Sequence, residues 1–161
     1  MTISVGERVP EATLYEPSDS GPQALDTSDL FSGRKVVLVG MPGAFTPTCH
    51  RNHLPGFIEN RDAILARGAD EIVVLTTNDT WVMRAWAEAT GAKDRIRFIS
   101  DGNGEFVRKA GLDYDNSARG MGRRSRRFAM IVDDGVVTSI AVEDVPGQAT
   151  SSGAAAILEK L

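Results

Sequence analysis

The chain is short of the residues that most often declare a function. It has one cysteine and two histidines among 161 residues. A single thiol cannot close an internal disulfide, so any disulfide must join this chain to another molecule, and a reducing, cytoplasmic setting is the expectation. One cysteine and two histidines also fall short of the four protein ligands of a structural zinc site. No metal and no other cofactor are expected. No apolar run approaches the roughly 20 residues of a membrane span, and the opening MTISVGERVPEA has no signal-peptide core. An excess of positive charge is missing too. The formal charge is −4, which argues against nucleic acid, although Arg119, Arg123, Arg124, Arg126 and Arg127 run against that average.

What remains is an ordinary globular composition, 42% hydrophobic and 25% charged, enough for one domain over residues 1–161. Strands are expected at Lys35–Gly40, Glu71–Thr76, Arg97–Ile99, Phe128–Asp133 and Val136–Val142. The middle runs are continuously apolar, as in strands covered on both faces. Asp134-Gly135 reads as a hairpin turn. Helices are expected after Thr46-Pro47, over Thr80–Thr90 with Gly91 as its stop, at Asn103–Ala110 and at Ser152–Leu161. Pro55 should kink or break the first of these. The turn-rich stretch 16–29 reads as a surface connection. The alternation implies an α/β fold, a mixed central sheet with helices on both faces, in a thioredoxin-like order.

The scarce residues gather in one place. GMPGAFTPTCHRNHLPGF, residues 40–57, holds Cys49, His50 and His53 together. Thr46 followed by Pro47 is a helix start, with a hydroxyl N-cap and proline at the first helical position. Cys49 then falls in the first turn, where unpaired amides and the positive dipole end favour a thiolate over a thiol. The Thr46 and Thr48 hydroxyls can add hydrogen bonds. A helix start after a strand that ends at Gly40 lies at the carboxyl edge of the sheet, where α/β folds bind ligands. The competing reading is a buried cysteine that merely packs. A metal at Cys49, His50 and His53, or a Cys49–His53 pair of the thiol-protease kind, also starts from these residues, but neither has the further ligands or third group it needs.

Pro42, Thr46 and Cys49 stand as P-x-x-x-T-x-x-C, and the chain resembles the peroxiredoxins, in particular the subgroup around the fifth peroxiredoxin. The likeness continues through NDTWVMRAWAE (78–88), FISDGNGEF (98–106), GLDYD (111–115) and RRSRRFAMIVDDGVV (123–137). The resemblance implies a thioredoxin-like domain with peroxiredoxin-type insertions and a thiol-dependent peroxidase. In it Cys49 attacks the hydroperoxide, Thr46 offers its hydroxyl to sulfur and substrate, and Pro42 shields the thiolate. Arg127 stabilises the sulfur and orients the peroxide. His53 is implied to position the helix, and a homodimer is expected near NDTWVMRAW and the loop beside the thiol. Met83, Trp86 and Trp81 have the helical spacing of core or subunit packing and not of a ligand box.

One departure matters. Some members of the subgroup carry a second cysteine near the C-terminus, whereas GQATSSGAAAIL has only Ser151 and Ser152. A one-cysteine cycle is therefore expected, closed by an external thiol: glutathione with glutaredoxin first, thioredoxin second. Two other readings stay open on the residues alone. One is a monothiol thiol–disulfide oxidoreductase, and the other is a non-enzymatic redox-responsive binding protein.

Overall fold

In the computed structural model, which describes residues 1–145 and 147–161, nine strands and six α-helices follow one another along the chain. They are β1 (Thr13–Glu16), β2 (Gln23–Asp26), α1 (Thr27–Phe31), β3 (Lys35–Gly40), α2 (Leu54–Glu59), α3 (Arg61–Ala66), β4 (Glu71–Thr76) and α4 (Thr80–Thr90). Then come β5 (Arg97–Ser100), α5 (Glu105–Lys109), β6 (Asp113–Asp115), β7 (Arg123–Ser125), β8 (Phe128–Asp133), β9 (Val136–Val142) and α6 (Ala154–Lys160). A π-helical turn, Cys49–His53, leads into α2.

Seven strands form one mixed sheet in the order β2-β1-β5-β4-β3-β8-β9. Its centre is parallel, β3 with β4 and β4 with β5, and its flanks are antiparallel. Side chains alternate across each strand and so build two cores. Val37, Val39, Ile72 and Val74 meet α2, α3, α4 and α6 through Leu54, Phe57, Ile64, Trp86 and Ile157. Val36, Leu38, Val73 and Leu75 meet α1 and α5 through Leu30, Phe31, Phe106 and Val107. This is the α/β, thioredoxin-like mixed sheet with helices on both faces that the sequence implies. Between β8 and β9 the chain reverses through Asp134 and Gly135, with φ of 49° and 81°. Two successive positive values are what a tight hairpin turn requires.

Two stretches differ from expectation. Residues 16–29 are not a bare connection, because they complete β1, turn, form β2 and enter α1. Both strands are four residues long, β1 mostly half-buried and β2 mostly exposed, too short to show a period of two. The arginine run supplies β7, which pairs with β6 so that Arg123 faces Asp115 and Arg124 faces Tyr114. Pro55 follows a wider turn in which the Leu54 amide reaches back to the Cys49 carbonyl, so the regular α-helical bonding is broken locally just ahead of it, as the proline implies.

Candidate active site

The thiol loop starts where β3 ends. Gly40 lies opposite Phe128 in the β3–β8 pairing, and a Cβ at this glycine would come within 2.0 Å of the Phe128 ring. Only glycine lets the ring cross the strand there. The loop is then pinned from β4, since the Ala44 amide donates to Asn78 Oδ1 at 2.8 Å and Thr76 Oγ1 donates to the same oxygen at 2.9 Å. Phe45 has φ of 63°, a left-handed conformation that L-residues seldom adopt, and its ring stacks on His50. Such a conformation persists only where the surroundings enforce it.

From Thr46 the helix begins as anticipated. The His50 amide bonds to the Thr46 carbonyl at 2.8 Å, which makes Pro47 the first helical residue and puts Cys49 in the opening turn. The two hydroxyls behave differently from expectation. Thr46 Oγ1 donates to the Gly43 carbonyl at 2.6 Å, and Thr48 Oγ1 donates to the Gly147 carbonyl at 3.1 Å. A hydroxyl has one proton, and the turn brings a carbonyl closer than the sulfur. Thr46 therefore shows its lone pairs, not its proton, to anything entering beside it.

Cys49 is 0% exposed and Arg127 only 3%. Strand alternation puts Arg127 on the same face as Ala129 and Ile131, the face that receives Cys49, whereas Arg126 is exposed. Arg127 Nη2 donates to Cys49 Sγ at 3.2 Å. Its Nη1 lies 3.1 Å from His53 Nδ1, and His53 Nε2 lies 2.8 Å from the Ser152 carbonyl. A carbonyl only accepts, so Nε2 carries the ring proton and Nδ1 is the acceptor that receives the Arg127 N–H. His53 is thus neutral. Burial pushes its pKa down to about 4, with Arg127 adding to the fall and the Ser152 hydrogen bond opposing it.

The carbonyl that anchors His53 is itself held. Glu143 is buried and accepts from the Ser152 amide at 2.7 Å, the Ser152 hydroxyl at 2.5 Å, and the Thr150 amide and hydroxyl at 3.0 Å each. Burial pushes this carboxyl up, but those four donors more than offset it and hold it below the usual range. Glu143 also donates its amide to the Arg127 carbonyl at 2.9 Å. A ring of contacts therefore runs from Glu143 through Ser152, His53 and Arg127 to the sulfur. A cavity of about 110 Å³ lies against Arg127, lined also by Tyr114, Arg126, Glu143 and Asp144.

Of the four residues singled out, Cys49 and Arg127 meet directly, while Thr46 bonds to Gly43 and Pro42 is buried in the loop with its carbonyl taking Arg124. The geometry separates the two histidines. His50 turns away, and its Nδ1 accepts from Trp86 Nε1 at 3.0 Å, so the pair does not converge on the thiol. His53 faces the guanidinium and not the sulfur, which removes the thiol–imidazole pair. Met83 and Trp86 are core, while Trp81 is 66% exposed. Glu143, Ser152 and Asn78 were not visible as site residues in the sequence. A buried-pattern break at Glu143, straight after an apolar strand, was the one signal available.

Chemically, a buried thiolate needs a fixed cation, and a guanidinium held from its other side supplies one without moving. Comparison with known proteins agrees with that chemistry. Residues 4–158 match the Redoxin family model. The chain is 44% identical over 165 residues to Peroxiredoxin-2E-2, chloroplastic, of Oryza sativa subsp. japonica, covering 99% of this chain and 73% of that one. Among solved structures, reduced Prx3 in complex with hydrogen peroxide from Vibrio vulnificus superposes with a TM-score of 0.92 at 42% identity, over 98% of this chain and 95% of that one. The 1-Cys peroxiredoxin of Plasmodium falciparum, its antioxidant protein, does so with a TM-score of 0.89 at 28% identity, over 98% and 97%. The chain belongs to the Redoxin family, within it to the peroxiredoxins, and with its single cysteine it is a thiol-dependent peroxidase.

Proposed function

We propose that the protein reduces hydrogen peroxide and organic hydroperoxides at Cys49 and is recycled by an external thiol. The Cys49 thiolate attacks the distal oxygen of the hydroperoxide. The S–O bond forms as O–O breaks, the electron pair leaves on the other oxygen, and a proton completes water or an alcohol. Arg127 steadies the thiolate and then the charge that develops on the peroxide oxygens. Thr46, its own proton given to Gly43, accepts the hydroperoxide proton and so orients the distal oxygen. Pro42 keeps water from the sulfur. The single observation that carries this reading is the 3.2 Å contact between Arg127 Nη2 and Cys49 Sγ in a buried site.

The sulfenic acid then condenses with an incoming thiol, releasing water, and a second thiol frees Cys49. No second cysteine exists in the chain, and the Ser152 hydroxyl is committed to Glu143. Glutathione with glutaredoxin is the first candidate for the donor and thioredoxin the second. A homodimer fits the exposed rings of Phe45, at 47%, and Trp81, at 66%.

The test is stopped-flow oxidation of the reduced protein by hydrogen peroxide and by an organic hydroperoxide, followed by each donor in turn. Wild type should gain one oxygen per chain and return to the thiol, and Cys49→Ser should consume no peroxide. If Cys49→Ser keeps its turnover, or if the wild type reduces low-molecular-weight disulfides faster than peroxides, the assignment fails.

A further inference from the structure

A second cavity, of about 360 Å³, opens beyond the thiol loop between the start of α5 and the β6–β7 hairpin. Its lining includes Arg108, Arg123, Arg124, Asp113, Asn103 and Met121. Three guanidiniums face one carboxylate, in a chain whose net charge is −4. Asp113 answers Arg123 alone, at 2.9 Å. Arg124 donates Nε to the Met121 carbonyl at 2.8 Å and Nη1 to the Pro42 carbonyl at 3.3 Å. Those neutral acceptors fix the guanidinium in place and leave its charge uncancelled. Arg108 forms no ion pair among the described residues. The neighbouring carboxylates Glu105 and Asp101 feel its charge but make their hydrogen bonds elsewhere. Glu105 takes the Thr13 amide and Lys109, and Asp101 takes the Phe106 and Val107 amides.

This cleft ends against the thiol loop. A Cβ built on Gly43 would lie 3.2 Å from Arg124 Nη1, 3.4 Å from the Met121 methyl and 3.1 Å from the Thr46 methyl. Arg124 and Met121 therefore roof the turn that carries Thr46. Arg124 and Met121 thus belong both to the cleft and to the wall of the thiol loop. We propose that Arg108 and Arg124 form a carboxylate subsite beside the thiol, used by a small acid whose other end reacts at Cys49. Planar guanidiniums match a carboxylate in pairs, and two of them leave room for both oxygens. Two kinds of reactant carry this chemistry, a hydroperoxide of an organic acid and an acid-bearing thiol such as glutathione. The purpose of the subsite rests on the peroxidase reading, but its existence does not.

The test separates the two. Cys49→Ser protein is titrated with an unreactive hydroxy acid, the alcohol counterpart of an acidic hydroperoxide, and with its methyl ester. The acid should bind and the ester should not, and added salt should weaken the acid. Arg108→Gln and Arg124→Gln should each weaken it about five- to tenfold, with Arg108→Lys recovering only part of the loss. Arg108→Gln decides the matter if Arg124→Gln disturbs the Pro42 loop. In protein with Cys49 intact, the oxidation rate with an acidic hydroperoxide relative to hydrogen peroxide reads the first source. The reduction rate with glutathione relative to its diester reads the second. Loss of preference in Arg108→Gln in one arm assigns the subsite to that reactant. Equal binding of acid and ester, variants that bind as wild type, or no acid preference in either arm overturns the proposal. Failure of hydrogen peroxide to oxidise wild-type Cys49 would instead strike the peroxidase reading and leave the titration to judge the subsite.

Discussion

Two arginines embedded in this fold are spent in opposite ways. Arg97, on β5, meets Glu16 through Nε at 2.5 Å and Nη2 at 2.8 Å, and meets Glu71 through Nη1 at 3.1 Å. Glu71 also takes Arg34 at 2.9 Å. The Glu16 hydrogen bonds, against the opposing effect of burial, raise Arg97 above its already high basicity. Arg127 gives one terminal nitrogen to a sulfur and the other to an uncharged ring nitrogen. A guanidinium closed by carboxylates is a fastener, since its field is cancelled where it arises. At these two nitrogens Arg127 is oriented by a neutral histidine and turned toward the sulfur that reacts. What distinguishes the functional arginine is the chemistry of its acceptors more than its burial.

Swapping the fates of the two arginines tests that contrast most severely. Arg127→Ala should slow Cys49 oxidation roughly 10²–10³-fold, the cost of removing one donor aimed at developing charge. Arg127→Lys should recover little, because an ammonium cannot hold sulfur and imidazole at fixed angles. Arg97→Ala should leave the oxidation rate within about twofold and cost about 1 kcal/mol of stability, as expected for a half-exposed pair. Stopped-flow and denaturant melts on the three variants read both quantities. A slow Arg97→Ala with wild-type stability would break the comparison.

Glu143→Gln comes next. The amide offers one acceptor oxygen where four donors now converge, so the 148–153 segment loosens and the Ser152 carbonyl shifts from His53. Oxidation should slow roughly tenfold through a misdirected Arg127. Peroxide affinity and rate fall together in this case, whereas a purely structural role would change only the melting temperature.

The smallest effect is on stability against pH, where two buried groups pull in opposite directions. His53 falls from 6.5 to about 4, so the folded state resists its proton and stability is lost as pH drops between those values. Asp101 rises from 3.8 to about 6, chiefly through burial, so the folded state takes its proton first and stability is gained over nearly the same interval. Each contribution is about 3 kcal/mol at full extent, so the wild-type profile should be nearly flat there. His53→Gln keeps a neutral donor and acceptor and removes the first arm, so acid should now stabilise the protein from about pH 6 down to 4. Asp101→Asn removes the second arm and should make it acid-labile below pH 6.5. Denaturant midpoints across that range check both signs.

How much of this was legible in the sequence depends on what kind of atom does the work. β8 was readable because Phe128–Val132 is a continuous apolar run closed by Asp133. Arg127 followed from the family resemblance together with the alternation of strand faces. Thr80–Thr90 was readable from its apolar spacing and from Gly91, which indeed adopts φ of 71°. The anchoring of the site was not readable. The Ser152 carbonyl is a backbone atom with no side-chain signature, and it meets His53 across 99 residues. The Thr46 proton goes to a carbonyl three residues back, a choice set by turn geometry that the motif does not encode. The wide turn at Cys49–His53 leaves no mark on hydrophobic spacing, because it adds a single residue to one turn. β1 and β2 were missed because residues paired at an edge bury too little to impose a pattern.

The order of synthesis inherits a constraint from the carbonyl of Ser152. β3, the thiol and even Arg127 emerge from the ribosome well before it, yet the imidazole that steers the guanidinium has no anchor until that late residue appears. Full alignment of the guanidinium with the thiol therefore waits on a carbonyl 99 residues beyond the imidazole it anchors.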